Sequence, residues 1–542
     1  MSVSPDTAAP APPDSPPGDG AAAVAPPPED HEVRRAAKRT ALLATTGFGV
    51  MQVLRFGANL LLTWMLLPEV FGMMALVDVF VIGLHMFSDV GIGSSIVRSK
   101  RDDREFLNTA WSVQVARGLV LWAAACLLAW PVTAFYNANP ADAEHPTRLP
   151  LLLIPAVALT ALINGFNSTA MFTLERRLMQ GRLVLLQIGT YVAGMTVVVL
   201  WVYFVEADVW AMVIGRVFAS VLEMAGSHIL MPDPFNRFHW DRAVVHDLVH
   251  FGKWIFIGTA CTFVADQADR LSIPKLYGTW TLGIYQVASN LSNVARLLMA
   301  ALVPKLVFPL YSRAFHSGKP LRPLFSRLHG GAALFEAFLV TGLVACGPAA
   351  VLCLFRKPYW GAGHMLQIVA FGTWLAMLES TGGSVLWATG HSRTSAFSNM
   401  AKAATVPFAV LAAVLAAVLF DADATTGLYV LLVGFVVADL ARYAVTATAM
   451  HRLGYPMLRY DLPLTVLIVV FVGLTWGAGR LVVGHNETEK WQHWLRLGLS
   501  VAVVCLLWSA VGLAAWRRGW LRAGAREGEP GASATGGGAS GR

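Results

Sequence analysis

Charge is what this chain has least of. Aspartate, glutamate, lysine and arginine make up 14% of its 542 residues, against roughly 25% in a soluble domain. A chain this long cannot build one water-soluble core under so thin a polar coat. It also lacks a GxxxxGKS or GxxxxGKT phosphate loop, an HExxH pair and a GxSxG elbow. Those gaps argue against ATP hydrolysis, zinc proteolysis and serine hydrolysis within this chain. Cysteine is scarce, and Cys126, Cys261, Cys346, Cys353 and Cys505 form no CxxC pair. All five fall in apolar stretches and read as buried structural thiols, with neither disulfides nor a metal implied.

What the chain has in plenty is apolar length. Hydrophobic residues make up 56%, and the mean hydropathy is +0.56. Apolar stretches recur at close to the roughly 20 residues that a spanning helix needs. Runs such as 151–163 and 409–420 do not alternate as barrel strands would. Backbone groups in hydrocarbon must pair internally, so an all-α bundle follows. The expected fold is a polytopic membrane protein of about fourteen transmembrane helices. They are placed at 41–67, 72–96, 107–135, 150–173, 183–205, 209–231, 252–274, 281–304, 330–354, 365–388, 397–420, 426–450, 462–484 and 494–516.

Two six-helix lobes are expected at 34–231 and 252–450, joined by a cytoplasmic linker at 232–251. An appended pair, helices 13 and 14, falls within 451–518. The Pro- and Ala-rich residues 1–33 and the Gly- and Ala-rich 519–542 read as disordered cytoplasmic tails. On this map 28 lysines and arginines lie on the side of the termini and 7 on the other. That bias places both termini in the cytoplasm. The formal net charge of +8 has the same source, so nucleic acid is not an expected partner.

An ionisable side chain at bilayer depth costs at least ~2.5–3.5 kcal/mol, so it faces a wet cavity or a partner. Arg55 lies near the middle of the first span, which holds no acid, and Asn59 follows one turn on. It is either a cavity cation for an anionic substrate or the partner of a carboxylate on another helix. Gln286, Asn290, Asn293 and Arg296 recur at helical spacing and make one face of the eighth span polar. Such a face lines a cavity or a helix interface. Arg216, with Glu223 seven residues on, is open to the same two roles, while Arg117 is expected to snorkel from a span end. Asp266 and Arg270, beside Asp269, form either a self-neutralised pair or a gate with a coupling carboxylate. Asp439 and Arg442 read as a structural pair. Glu336 and Glu379 are single acids, each an interhelical partner or a proton or Na⁺ site. Gly473 and Gly477 form a GxxxG, a sign of close helix packing.

Residues 68–100, PEVFGMMALVDVFVIGLHMFSDVGIGSSIVRSK, are similar to the second-helix region of the polysaccharide flippases. They carry that family's Pro-Glu-x-Phe-Gly turn and a Ser-Asp-x-Gly near the helix end. Stretches 104–122, 174–189, 269–291 and 306–313 continue the likeness in order. Over residues 40–450 the chain resembles the polysaccharide and oligosaccharide flippases of the multidrug/oligosaccharidyl-lipid/polysaccharide exporter superfamily. The resemblance implies two lobes about a central cavity and no cofactor. It implies a multi-pass protein of the bacterial inner membrane that moves polyprenyl-diphosphate-linked oligosaccharide by alternating access, for surface polysaccharide synthesis. Arg55 and Arg270, with Arg296, would hold the diphosphate. Membrane lipid, H⁺ or Na⁺, and polysaccharide polymerase machinery are the further partners implied. The likeness departs before the turn, where relatives carry a basic residue and this chain has Trp64-Met65-Leu66-Leu67. Three rivals stand beside it: an organic-cation antiporter of the same superfamily, a membrane glycan polymerase or glycosyltransferase, and a non-transporting scaffold.

Overall fold

The computed structural model describes residues 30–88, 104–138, 148–176, 180–229, 236–242, 255–303, 307–420, 423–483 and 490–517. Most of both expected tails, most of the linker, Arg98, Lys100, Arg101 and the 89–91 part of the turn motif lie outside them. The described chain runs α1 (Asp30–Met65), α2 (Pro68–Phe87), α3 (Arg104–Asn137), α4 (Leu153–Gly165), α5 (Ala170–Arg176), α6 (Gln180–Phe204), α7 (Val209–Ile229) and α8 (Ile255–Leu302). It continues through α9 (Phe308–His316), α10 (Leu321–Leu354), α11 (Ala362–Ala388), α12 (Ser392–Phe420), α13 (Ala424–Arg452), α14 (Leu458–Val483) and α15 (Lys490–Arg517). Among the described residues, ten helices are long and apolar enough to cross a membrane. That count does not confirm the expected fourteen. Helix α4 has only 13 residues, and α1 and α8 carry ionisable and amide side chains along their length. Helix α1 begins at Asp30, so the last four residues of the expected tail, 30–33, are helical.

Helix α8 is a hairpin. Tyr285 donates to the Asp269 carboxylate sixteen residues away, a span that would measure ~24 Å along a straight helix. The chain must therefore double back between them. It does so at Gly278, with φ 82° and ψ 166°, a conformation that side chains with a Cβ avoid. The two arms are the expected spans 252–274 and 281–304.

The turn of that hairpin meets the turn between α1 and α2 backbone to backbone. A Cβ on Gly72 would lie 1.8 Å from the Thr279 carbonyl oxygen, and one on Gly283 would lie 1.7 Å from that of Pro68. In a bilayer, where apolar burial does not drive helices together, such close approach supplies the packing. Polar bonds lace the same end. Trp64 donates to the Leu354 carbonyl at 2.9 Å, Arg356 to that of Trp64 at 2.8 Å, and Tyr359 to that of Leu66 at 2.9 Å. Tyr136 donates to the Leu271 carbonyl at 2.9 Å, and Lys275 to those of Phe135 and Ala138 at 2.7 and 2.6 Å. Every one joins the N-terminal half of the chain to the C-terminal half. Away from this laced end, α1 and the second arm of α8 separate and leave a cavity between them.

Helices α14 and α15 are bonded into the C-terminal half and not merely appended. Leu464, Ile468, Phe471, Val504 and Trp508 join the core built around α10 and α11. Asp461 of α14 is gripped by His329 at 2.8 Å and Tyr443 at 2.6 Å, all three buried. The expected packing seam at Gly473 and Gly477 is not there, because a Cβ on either would meet nothing within 4 Å. Nor are the cysteines buried: Cys126 and Cys505 are exposed and the other three half-buried, all as free thiols. Cys346 packs against the C-terminal core, while Cys126 and Cys505 lie on apolar helices whose outer faces suit a surrounding medium as apolar as a core.

Gly283→Ala is expected to lower the thermal unfolding midpoint in detergent, with an overpacking cost of ~1–3 kcal/mol. Gly473→Ala, entering open space on a helix, should leave the midpoint level or raise it slightly.

Candidate functional site

The cavity between α1 and α8 has a volume of about 1000 Å³ and also borders α2, α6 and α7. Its polar lining is layered by helix geometry. At ~1.5 Å per residue from the laced end, Asn59, Gln286 and Arg216 sit highest, about 10 Å down. Arg55, Asp78 and Asn290 come next, at about 15 Å. Gln52, Asn293 and then Arg296 lie nearest the open side. The three- and four-residue spacing along α8 puts its amides and Arg296 on one face, and Gln286 donates to Asn290 at 2.8 Å. Gln286 keeps a buried carbonyl oxygen without a partner among the described residues.

The cations differ in their company. Arg216 closes a two-point pair on Asp78, its second contact at 3.1 Å. Glu223 is not its partner. Arg55 and Arg296 are exposed within the cavity, with no hydrogen bond or ion pair from either to the described residues. Arg117, expected to snorkel, instead bonds Ser88 at 3.0 Å and the His85 carbonyl at 3.1 Å. It satisfies the end of α2, where free carbonyls favour a cation.

Seven of the eight expected substrate-binding residues line this cavity: Arg55, Asn59, Arg216, Gln286, Asn290, Asn293 and Arg296. Arg270 does not. It lies on the other arm of the α8 hairpin and donates to Gln267 at 3.0 Å. The turn at Gly278 carries the first arm to the far side, against α12 and α13, and takes Asp266 and Asp269 with it. Asp78 escaped sequence reasoning, although a lone acid ten residues into an apolar helix carries the same cost as Arg55.

Of the four coupling candidates, Asp266 and Glu379 fall in a separate ionic network, whereas Asp269 accepts from Tyr285. Asp266 lies 4.0 Å from Lys402 and 3.8 Å from Arg442, Lys402 is 2.6 Å from Asp439, and Arg442 is 3.0 Å from Glu379. The pairs expected within helices, Asp266 with Arg270 and Asp439 with Arg442, give way to bonds between helices. Interior-facing charges find opposite charges on the neighbour they pack against. Lys402 is inside α12. Glu379 also accepts from Ser398 and Thr446. Glu336 is fully buried and accepts from Thr381 at 2.7 Å. Its second oxygen has no partner among the described residues.

The family model described as "Polysaccharide biosynthesis protein" matches residues 61–363, more than half of the chain. The chain belongs to that family. Among curated proteins, it is 22% identical over 311 residues to the teichuronic acid biosynthesis protein TuaB of Bacillus subtilis, covering 56% of this chain and 61% of TuaB. It is 23% identical to the amylovoran biosynthesis protein AmsL of Erwinia amylovora, covering 60% and 81%. With the lipopolysaccharide biosynthesis protein WzxC of Escherichia coli it shares 21% identity, covering 59% and 63%. The matches to TuaB and WzxC thus span about three fifths of those proteins. Among solved structures, the lipid II flippase MurJ in an inward closed conformation superposes with a TM-score of 0.64 at 12% identity, covering 88% of this chain and all of MurJ. An inward-facing multidrug transporter of the MATE family gives 0.56 at 14% identity, covering 77% and 95%. These likenesses show the fold: the polysaccharide biosynthesis chain is built as a transporter-type helical bundle.

Arg442→Gln takes the cation from Glu379, whose side chain is 7% exposed, and breaking such a pair costs ~3–5 kcal/mol. Its unfolding midpoint should fall sharply, whereas Arg55→Gln, with no partner to orphan, should leave the midpoint unchanged in the same detergent.

Proposed function

We propose that the protein is a flippase that carries polyprenyl-diphosphate-linked oligosaccharide from the inner to the outer leaflet of the bacterial inner membrane. The observation that carries this reading is that two guanidiniums, Arg55 and Arg296, line one cavity from opposite halves of the chain, neither with a hydrogen bond or ion pair among the described residues. A guanidinium left open at this depth suits an anion, and its planar fork matches phosphate oxygens. The amides of α1 and α8 suit the glycan, whose hydroxyls would each cost roughly 2–7 kcal/mol unpaired in hydrocarbon. The apolar remainder of the wall suits the first isoprene units, and the rest of the lipid can stay in the bilayer.

Alternating access would proceed by rocking the two halves about this site. With both termini in the cytoplasm, the laced end is the outer one and the cavity opens inward. Release requires the Trp64, Arg356, Tyr359 and Lys275 bonds to part. An inside-negative potential helps an anion leave, at about 2.3 kcal/mol per charge per 100 mV. Coupling to H⁺ or Na⁺ would fall to Asp266, Asp269, Glu336 or Glu379, all outside the cavity. An organic-cation antiporter is disfavoured because the cavity's acid, Asp78, is already held by Arg216. Family relatives named for polysaccharide synthesis support the substrate class, and polymerase machinery would receive the product.

Purified protein in vesicles, given a labelled lipid-linked oligosaccharide, should translocate it. Arg55→Gln and Arg296→Gln should each cut the rate by on the order of tenfold or more, the worth of one charge-assisted bond. Arg270→Gln should stay near wild type. Equal rates in all three variants would refute the assignment of the cavity.

A further inference from the structure

Asp78 is a charged group that the transport cycle described above leaves without a role. It is the one carboxylate among the described residues that line the cavity. Arg216 grips both of its oxygens, yet neither partner is sealed off: their side chains are 40% and 31% exposed. Three guanidiniums and one carboxylate leave the described lining with two net positive charges.

Charge separates the anions that this cavity could meet. A diphosphate esterified at both ends, with lipid on one side and sugar on the other, carries two negative charges near neutral pH. The bare lipid diphosphate has a terminal phosphate with a second ionisation near pH 6, and so carries close to three. A lipid monophosphate glycan carries one. In a crevice of low effective dielectric an unmatched charge is costly. We infer that Asp78 is a specificity-determining residue that trims the cavity to two positive charges, so that a doubly esterified diphosphate leaves the loaded cavity neutral. The lipid diphosphate that has lost its glycan is then left behind. This inference rests on the flippase reading and assigns a task to a residue which that reading does not need.

The test is a ratio of dissociation constants for two probes, geranylgeranyl diphosphate and its N-acetylglucosaminyl diester, on the full-length protein in nanodiscs. Wild type should prefer the diester. Asp78→Asn, with three net charges, should shift the ratio toward the bare diphosphate by on the order of tenfold, and Asp78→Glu should hold the wild-type ratio. The double variant Asp78→Asn, Arg216→Gln has two net charges again but no pair, and should restore the wild-type ratio. A merely structural pair would not be rescued this way. An unchanged ratio in Asp78→Asn, or a shifted ratio that the double variant fails to restore, overturns the charge match alone. If wild type binds neither probe, the flippase reading fails and takes this inference with it.

Discussion

The constraint on which this structure turns is the cost of a guanidinium at bilayer depth. An arginine there must be paired, capped or wetted. The chain uses all three solutions. Arg216 is paired with Asp78 and Arg442 with Glu379. Arg117 and Arg356 cap carbonyls at helix ends. Arg55 and Arg296 have neither remedy among the described residues, and both open onto the cavity. Water or a ligand must meet them. The site is therefore defined by what the fold declines to neutralise.

The fold keeps that cavity open on one side by closing the other. Two glycines allow the turn of the α8 hairpin to rest on the turn between α1 and α2, with no room for a Cβ at either contact. Around that contact, hydrogen bonds to backbone carbonyls join the two halves of the chain. Such bonds hold without burying a charge, so they can break and reform at low cost. The charged network of α8, α12, α13 and α11, by contrast, lies within the C-terminal half and gives it rigidity.

Much of this was legible in the residues. Helical spans could be read because a bilayer fixes their length and forbids unpaired backbone. The polar face of α8 could be read because Gln286, Asn290, Asn293 and Arg296 keep helical spacing. Arg55 stood out because no acid shares its helix. The missed ion pairs share one cause. Asp78 and Arg216 are 138 positions apart, and Arg442 meets Glu379 across an interface, so local spacing shows neither bond. The resemblance set Arg270 beside Arg55 and Arg296, yet Gly278 sends the two arms of α8 to different sides. The GxxxG of α14 failed for the opposite reason: a local pattern was present, and among the described residues nothing lies within 4 Å of a Cβ on either glycine.

The central claim is that the two open guanidiniums hold one anionic lipid between the halves of the chain. Native mass spectrometry of the purified protein with extracted lipid-linked oligosaccharide tests it directly. Wild type should carry a single bound lipid that survives release from detergent, and the Arg55→Gln, Arg296→Gln double variant should carry none at the same concentration. Equal occupancy in the two proteins would contradict the account.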